Sequence, residues 1–188
     1  MNHLTKERQM NSWMPYAEEA FKNMIVENDT REIGKFLAIG NEYMQMDWIN
    51  RNTNLTVTRE TGGNDGNKNG SGYDLISSRG LRIQAKFRSN TFHLECTRRI
   101  SQKNRGAGSS SGHVAYSTGE ADVYFFTRPN GNFEDASKAE LIAIPASALQ
   151  DPNNPGFLRR SVPKSIINQW TGKTKATLEK LEREKRLA

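Results

Sequence analysis

A single cysteine stands among the 188 residues, so no disulfide can close within the chain, and that usage belongs to a reducing compartment. Cys96 alternates with Phe92 and Leu94, which marks a buried strand position rather than a catalytic thiol. No apolar run approaches the roughly 20 residues that a bilayer span needs. A lipidation signal and a basic amphipathic helix with an apolar anchor face are also missing, so no membrane partner is expected. With neither repeats nor a targeting segment, the chain reads as intracellular and cytoplasmic. Apolar residues are sparse too, at 35% hydrophobic and 9% aromatic, and the aromatics cluster in a few segments. This length can still bury a modest core, and the expectation is one soluble domain over 1–188, with a helical segment over 1–50 and a charged helix over 173–188.

Charge of one sign is in excess. The formal net charge is +6, which favours encounter with a polyanion, because each phosphate neutralised by Lys or Arg releases condensed counterions. Arg82, Lys86, Arg88, Arg98, Arg99, Lys103 and Arg105 concentrate this charge in one stretch. Nucleic acid is the expected partner on charge alone.

Along the chain, Pro15 precedes Tyr16, Phe21, Met24 and Ile25 at helical intervals. Asp29 or Thr30 can cap a second helix from Arg31 to Asn50, with Ile33, Phe36, Leu37, Met44 and Trp48 as its apolar stripe. A strand follows near Leu55 to Arg59, then a stretch from Thr61 to Gly72 without an apolar residue, which is a loop in which Asp65 forms a turn or, as its other reading, stands as an acid behind the site. Leu94 and Cys96 alternate with His93, Glu95 and Thr97, so this segment is expected to pair with the strand before it. Arg98 to His113 reads as a basic polar loop whose Lys103, Asn104 and Arg105 can reach base edges. Val123 to Phe126 is apolar throughout, as in a strand buried on both faces. Leu141 to Pro145 is the next strand, reached through an Asn130-Gly131 turn, and Leu178, Leu181 and Leu187 anchor the terminal helix.

The strand from Leu81 to Ser89 carries the chemistry. Leu81, Ile83, Ala85 and Phe87 fall on one face and Arg82, Gln84, Lys86 and Arg88 on the other, so Gln84 and Lys86 point the same way. Ser77 to Gly80 can turn the chain, which folds Asp74 back beside Gln84. A carboxylate, an amide and an amine around one point outline a metal-and-phosphate site.

In these residues the chain resembles the PD-(D/E)XK nuclease superfamily, in which a carboxylate precedes a hairpin whose second strand carries an acid, one spacer and a lysine. Asp74 and Lys86 match that pattern. Gln84 stands where most members have an acid and looks like the Q-x-K variant of Mrr-type restriction endonucleases. The resemblance runs from about Gly40 to Pro145 and includes the order of the elements. It implies an α/β fold with a mixed central sheet flanked by helices, restriction endonuclease-like, and a Mg²⁺ ion, with Mn²⁺ as a substitute, held by Asp74, Gln84 and the Ala85 carbonyl. Lys86 would then orient water or offset phosphate charge, and Glu42 would supply an acid from the preceding helix, with Glu32 as the fallback. Glu42 lies opposite the helix's apolar stripe, so an exposed helix acid is its other reading. Glu95 is either a replacement acid or an ion-pair partner, and His93 a DNA contact or a solvated residue. The implied function is a type II restriction enzyme acting on double-stranded DNA, with a homodimer on two-fold sites. A branched-DNA resolvase or repair nuclease, and a DNA-binding module without catalysis, are the alternatives.

Overall fold

Residue order along β3 (Arg82–Phe87) dictates the middle of the molecule: Ile83 is wholly buried on one face, Gln84 nearly so on the other, so the strand must be covered on both sides. In a computed structural model, which describes residues 33–60, 72–87, 94–99, 113–128 and 139–187, that cover is complete. β3 is the central strand of a five-stranded sheet, flanked by β1 (Val57–Arg59) and β2 (Leu75–Ser77) on one side and by β6 (Val123–Arg128) and β7 (Glu140–Pro145) on the other. Only the β3–β6 pair is parallel, with Ile83 opposite Val123 and Lys86 opposite Phe126. The remaining pairs are antiparallel, so the sheet is mixed and the fold α/β. Val123 to Phe126 are all fully buried, as a continuous apolar run in a two-sided strand requires.

Two helices cover the first face. α1 (Ile33–Asn52) lays Ile49 against Leu75, Ile83 and Phe125, and Trp48 meets the Phe125 ring edge-on at 5.9 Å. Gly40 is buried within this helix and does not break it. Polar contacts fix the register: Gln45 donates to the Phe125 carbonyl at 2.9 Å and to Thr127 at 2.8 Å, and the Asn50 amide bonds both the N–H and the carbonyl of Val57. After two short elements, α2 (Ala146–Leu149) and α3 (Lys164–Trp170), the terminal helix α4 (Thr174–Leu187) closes the same face with Leu178. Leu187 was expected among its anchors but is 87% exposed, since it lies beyond the sheet's reach at the helix end. Thr174 instead grips the outer edge of β7, donating to the Leu141 carbonyl at 2.5 Å and accepting from the Ala143 N–H at 3.3 Å. A hydroxyl there satisfies edge groups that otherwise invite another strand.

The second face is covered by irregular chain. β4 (Thr97–Arg99) pairs with β5 (His113–Ala115), and β8 (Gln150–Asp151) with β9 (Asn154–Leu158). Leu94, Cys96, Tyr116, Leu158 and Val162 pack there against Tyr124, Phe126 and Ile144. Two expectations are corrected. The Leu94–Thr97 segment does not pair with β3, both of whose edges are taken by β2 and β6. The polar loop is also narrower than 98–113, because both of its ends are the paired strands β4 and β5. Asn130-Gly131, Asp65, Glu32 and the helical intervals before residue 33 lie outside the described residues. No described helix is long and apolar enough to cross a membrane.

Candidate active site

The β2–β3 hairpin is closed by its own serine. Ser77 and Leu81 exchange hydrogen bonds, with the Ser77 hydroxyl accepting the Leu81 N–H at 2.9 Å, and Gly80 takes φ +84°, a conformation that glycine adopts without a Cβ penalty. This turn sets Leu75 opposite Ile83 and so brings Asp74 alongside Gln84 and Ala85. The Asp74 N–H donates to the Ile83 carbonyl at 3.0 Å. Its carboxylate then does the work of a strand carbonyl: Oδ2 accepts the Ala85 N–H at 2.8 Å and the Gln84 side-chain amide as well. Asp74 is 8% exposed and Gln84 1%, so these bonds form away from bulk water.

Gln84, like Gln45 of α1, keeps its amide oxygen unpaired. Its Oε1 is buried and accepts no hydrogen bond, while its Nε2 also lies 3.4 Å from the Ala85 carbonyl. A buried amide oxygen without a partner costs about 1–3 kcal/mol, so it stays in a native fold only where something offsets it. The Asp74 carboxylate and the Ala85 carbonyl thus meet at the Gln84 amide nitrogen, and the oxygen of the same amide is left unpartnered. One carboxylate and two carbonyl-type oxygens are hard donors of the kind Mg²⁺ takes, with water completing its shell. Among the described residues there is no group of three or more His, Cys, Asp or Glu side chains, so any ion here would rest on this mixed set.

Lys86 follows on the same face. Its ammonium donates to the Tyr116 hydroxyl, lies 4.3 Å from the centre of that ring, and sits 3.4 Å from the Thr97 carbonyl. Tyr116 is fully buried and packs edge-on against Tyr124 at 5.3 Å, so the surface that receives the amine is rigid. Thr97 in turn donates to Glu95 at 3.3 Å, which links Glu95 to this wall through one residue.

Glu42 is directed elsewhere. It meets Arg59 at 2.5 Å on the face that carries Val57 and Leu75, whereas Gln84 and Lys86 project from the other face. Burial pushes the Arg59 guanidinium down, but Glu42, together with Tyr43 under its plane at 5.4 Å, holds it above its ordinary value. Arg82 lies at the far end of β3, where Asp122 accepts its backbone N–H at 2.8 Å and two guanidinium bonds at 3.2 and 3.1 Å. Lys185 of α4 joins them at 3.0 Å. A cleft of about 470 Å³ opens at this end, lined in part by Asp122, Gln150 and Lys185, and none of Asp74, Gln84 or Lys86 borders it. The backbones of Arg98 and Arg99 run in β4 but their side chains lie outside the described residues, as do His93, Arg88, Lys103, Asn104 and Arg105.

Asp122 yields a pH test. Burial pushes its carboxyl up, but hydrogen bonds from Arg82 and Lys185 outweigh that and hold it below the ordinary carboxylate range. A lowered folded-state pKa contributes stability that is present above the unfolded value, about 3.9, and is lost as pH falls through the folded one. Asp122→Asn is therefore expected to melt below the parent at neutral pH by a margin that closes in acid. Thermal melts of both proteins across that range check it; a margin independent of pH would separate Asp122 from the ion pair.

Sequence reasoning missed Tyr116, Thr97, Asp122 and Lys185. Tyr116 and Thr97 receive Lys86, Asp122 receives Arg82, and Lys185 joins through Asp122, with no spacing signal in the sequence to mark any of them. Neither the family models nor the curated proteins give a match to this chain.

Proposed function

We propose that this chain is a Mg²⁺-dependent endonuclease of duplex DNA, of the type II restriction kind, on a restriction endonuclease-like fold. The observation that carries the reading is the meeting of the Asp74 carboxylate, the Gln84 amide with its unpartnered oxygen and the Ala85 carbonyl at one buried spot, with the Lys86 ammonium next on the same face. Asp74, Gln84 Oε1 and the Ala85 carbonyl would hold Mg²⁺, or Mn²⁺ in its place. The bound ion would acidify a water and offset the charge that develops on a phosphate. Lys86, a compact cation held against Tyr116, would donate to a phosphate oxygen or orient the attacking water. In the hydrolysis, the water oxygen bonds to phosphorus, the ester P–O bond breaks, and the leaving oxygen takes up a proton. Two-fold recognition sites would be met by a homodimer.

Incubation with plasmid DNA, with and without Mg²⁺, followed by sequencing of the ends, is the direct test. Discrete ends that require the metal are the expected result. A second reading has its own observation: Asp74 accepts the Ala85 N–H at 2.8 Å, a structural role that an acid can fill without any metal. On that reading the chain binds DNA and does not cut it, and plasmid would stay intact under every metal tried.

Tyr116→Phe refines the test. The ring and its packing remain, while the hydroxyl that receives Lys86 is lost. One charge-assisted hydrogen bond of about 1.5 kcal/mol corresponds to roughly tenfold in rate. The single-turnover cleavage rate is expected to fall by that factor at unchanged DNA affinity. An unchanged rate would show that the hydroxyl does not position the amine for the reaction.

A further inference from the structure

Residues 156–162 run between the two chain segments that contact Lys86. On one side the Cys96 N–H donates to the Arg160 carbonyl at 3.1 Å, the Val162 N–H donates to the Leu94 carbonyl at 2.8 Å, and Glu95 is bridged to Ser161. On the other side the Leu158 N–H donates to the Tyr116 carbonyl at 2.8 Å, and Phe157 is bridged to Ser117. Thr97 and Tyr116, the residues that receive the lysine, are thus each a neighbour or a partner of this strip. Leu158 and Val162 are buried and fasten it to the core, while Arg160 between them is exposed.

The two arginines of the strip are chemically unsettled. The Arg159 Nε is buried and has no hydrogen-bond partner. No carboxylate among the described residues pairs with Arg159 or Arg160, whereas Arg51, Arg59, Arg82 and Arg128 are paired and Arg79 and Arg183 are not. The buried Arg159 Nε is a donor still without an acceptor, and the exposed Arg160 guanidinium is open to an anion from solvent. The planar fork of arginine matches phosphate oxygens, and successive arginines on a backbone tied to the segments that hold Lys86 suit a phosphodiester chain.

We propose that Arg159 and Arg160 form a phosphate-contacting strip that grips the backbone of duplex DNA beside the Lys86 site. The inference rests on the nuclease reading for its choice of partner and names the part of the protein that holds the substrate. It does not depend on cleavage. Excess positive charge over the whole chain supports a polyanion, and the strip's hydrogen bonds to the segments that hold Lys86 give that polyanion a reason to lie there.

The test measures binding without chemistry. With EDTA present, a fluorescein-labelled duplex of mixed sequence is titrated by anisotropy at several salt concentrations with parent, Arg160→Ala and Arg159→Gln. Lys180→Ala, an exposed charge on α4 across the sheet, is the control for net charge. Each arginine variant is expected to bind about five- to tenfold more weakly and to reduce the slope of log affinity against log salt by about 0.9, the value of one lost phosphate contact. Lys180→Ala should change neither, and the melting temperature of Arg160→Ala should equal the parent's. The inference is overturned if both arginine variants bind as the parent does, if Lys180→Ala matches them, if the parent binds no duplex, or if duplex RNA of the same sequence binds more tightly. Arginine-dependent binding by a protein that never cuts DNA would sink the nuclease reading and leave the strip; cutting that ignores both arginines would do the reverse.

Discussion

On the proposed nuclease reading, Asp74→Asn and Lys86→Ala are each expected to lower plasmid cleavage by ~10³-fold or more, since a carboxylate that binds metal and a cation that faces phosphate would each supply several kcal/mol of transition-state stabilisation. The choice of asparagine matters because Asp74 also ends the β2–β3 ladder. An amide oxygen can still accept the Ala85 N–H, so the melting temperature should stay near the parent's. Asp74→Ala would leave that N–H and the Gln84 amide buried without an acceptor, at about 1–3 kcal/mol. The three variants separate chemistry from folding: asparagine loses activity alone, alanine loses activity and stability. Lys86→Ala should fold, because the amine lies on the rim of the core rather than within it. Cleavage at the parent's rate by Asp74→Asn or by Lys86→Ala would remove that residue from the site.

Gln84 is the second test and the more discriminating one. Gln84→Ala deletes the buried Oε1 and is expected to lose cleavage by ~10²-fold or more, with the Mg²⁺ requirement raised. Gln84→Glu should behave oppositely toward metal. In the absence of Mg²⁺ it sets a second carboxylate against Asp74 in a site that is 1% exposed at this position, and like charges so placed destabilise the fold. Adding Mg²⁺ should restore the melting temperature, because a ligand at about 100 times its Kd adds roughly 2.7 kcal/mol to the folded state. A melting temperature that rises with Mg²⁺ in Gln84→Glu and stays flat in Gln84→Ala is the expected pattern. If Gln84→Ala cut DNA as the parent does over the whole titration, Gln84 would be a bystander.

The carry-over of Glu42 shows where local reasoning stops. Its position on α1 follows from helical spacing, but whether the helix presents it to Asp74 depends on which sheet face the helix covers. Arg59 decides the matter by holding Glu42 on the face opposite Lys86. The same holds for Arg82, whose place in a basic stretch says nothing of Asp122, 40 residues further along and across a parallel strand.

What the amino-acid sequence determined by itself is local: the alternation of β3, the apolar run of β6, the serine-glycine turn, and hence the meeting of Asp74 with Gln84 about ten residues on. Strand periodicity and turn chemistry act over a few residues, so they can be read without knowing the rest of the chain. Only the tertiary structure decided the partners of β4, the face on which Glu42 lies, the wall of Thr97 and Tyr116 around Lys86, and the buried Arg159 Nε without a partner. Those depend on strand order and on layers packed across a sheet. Periodicity tells which face of a strand is apolar, but not which distant segment comes to cover it.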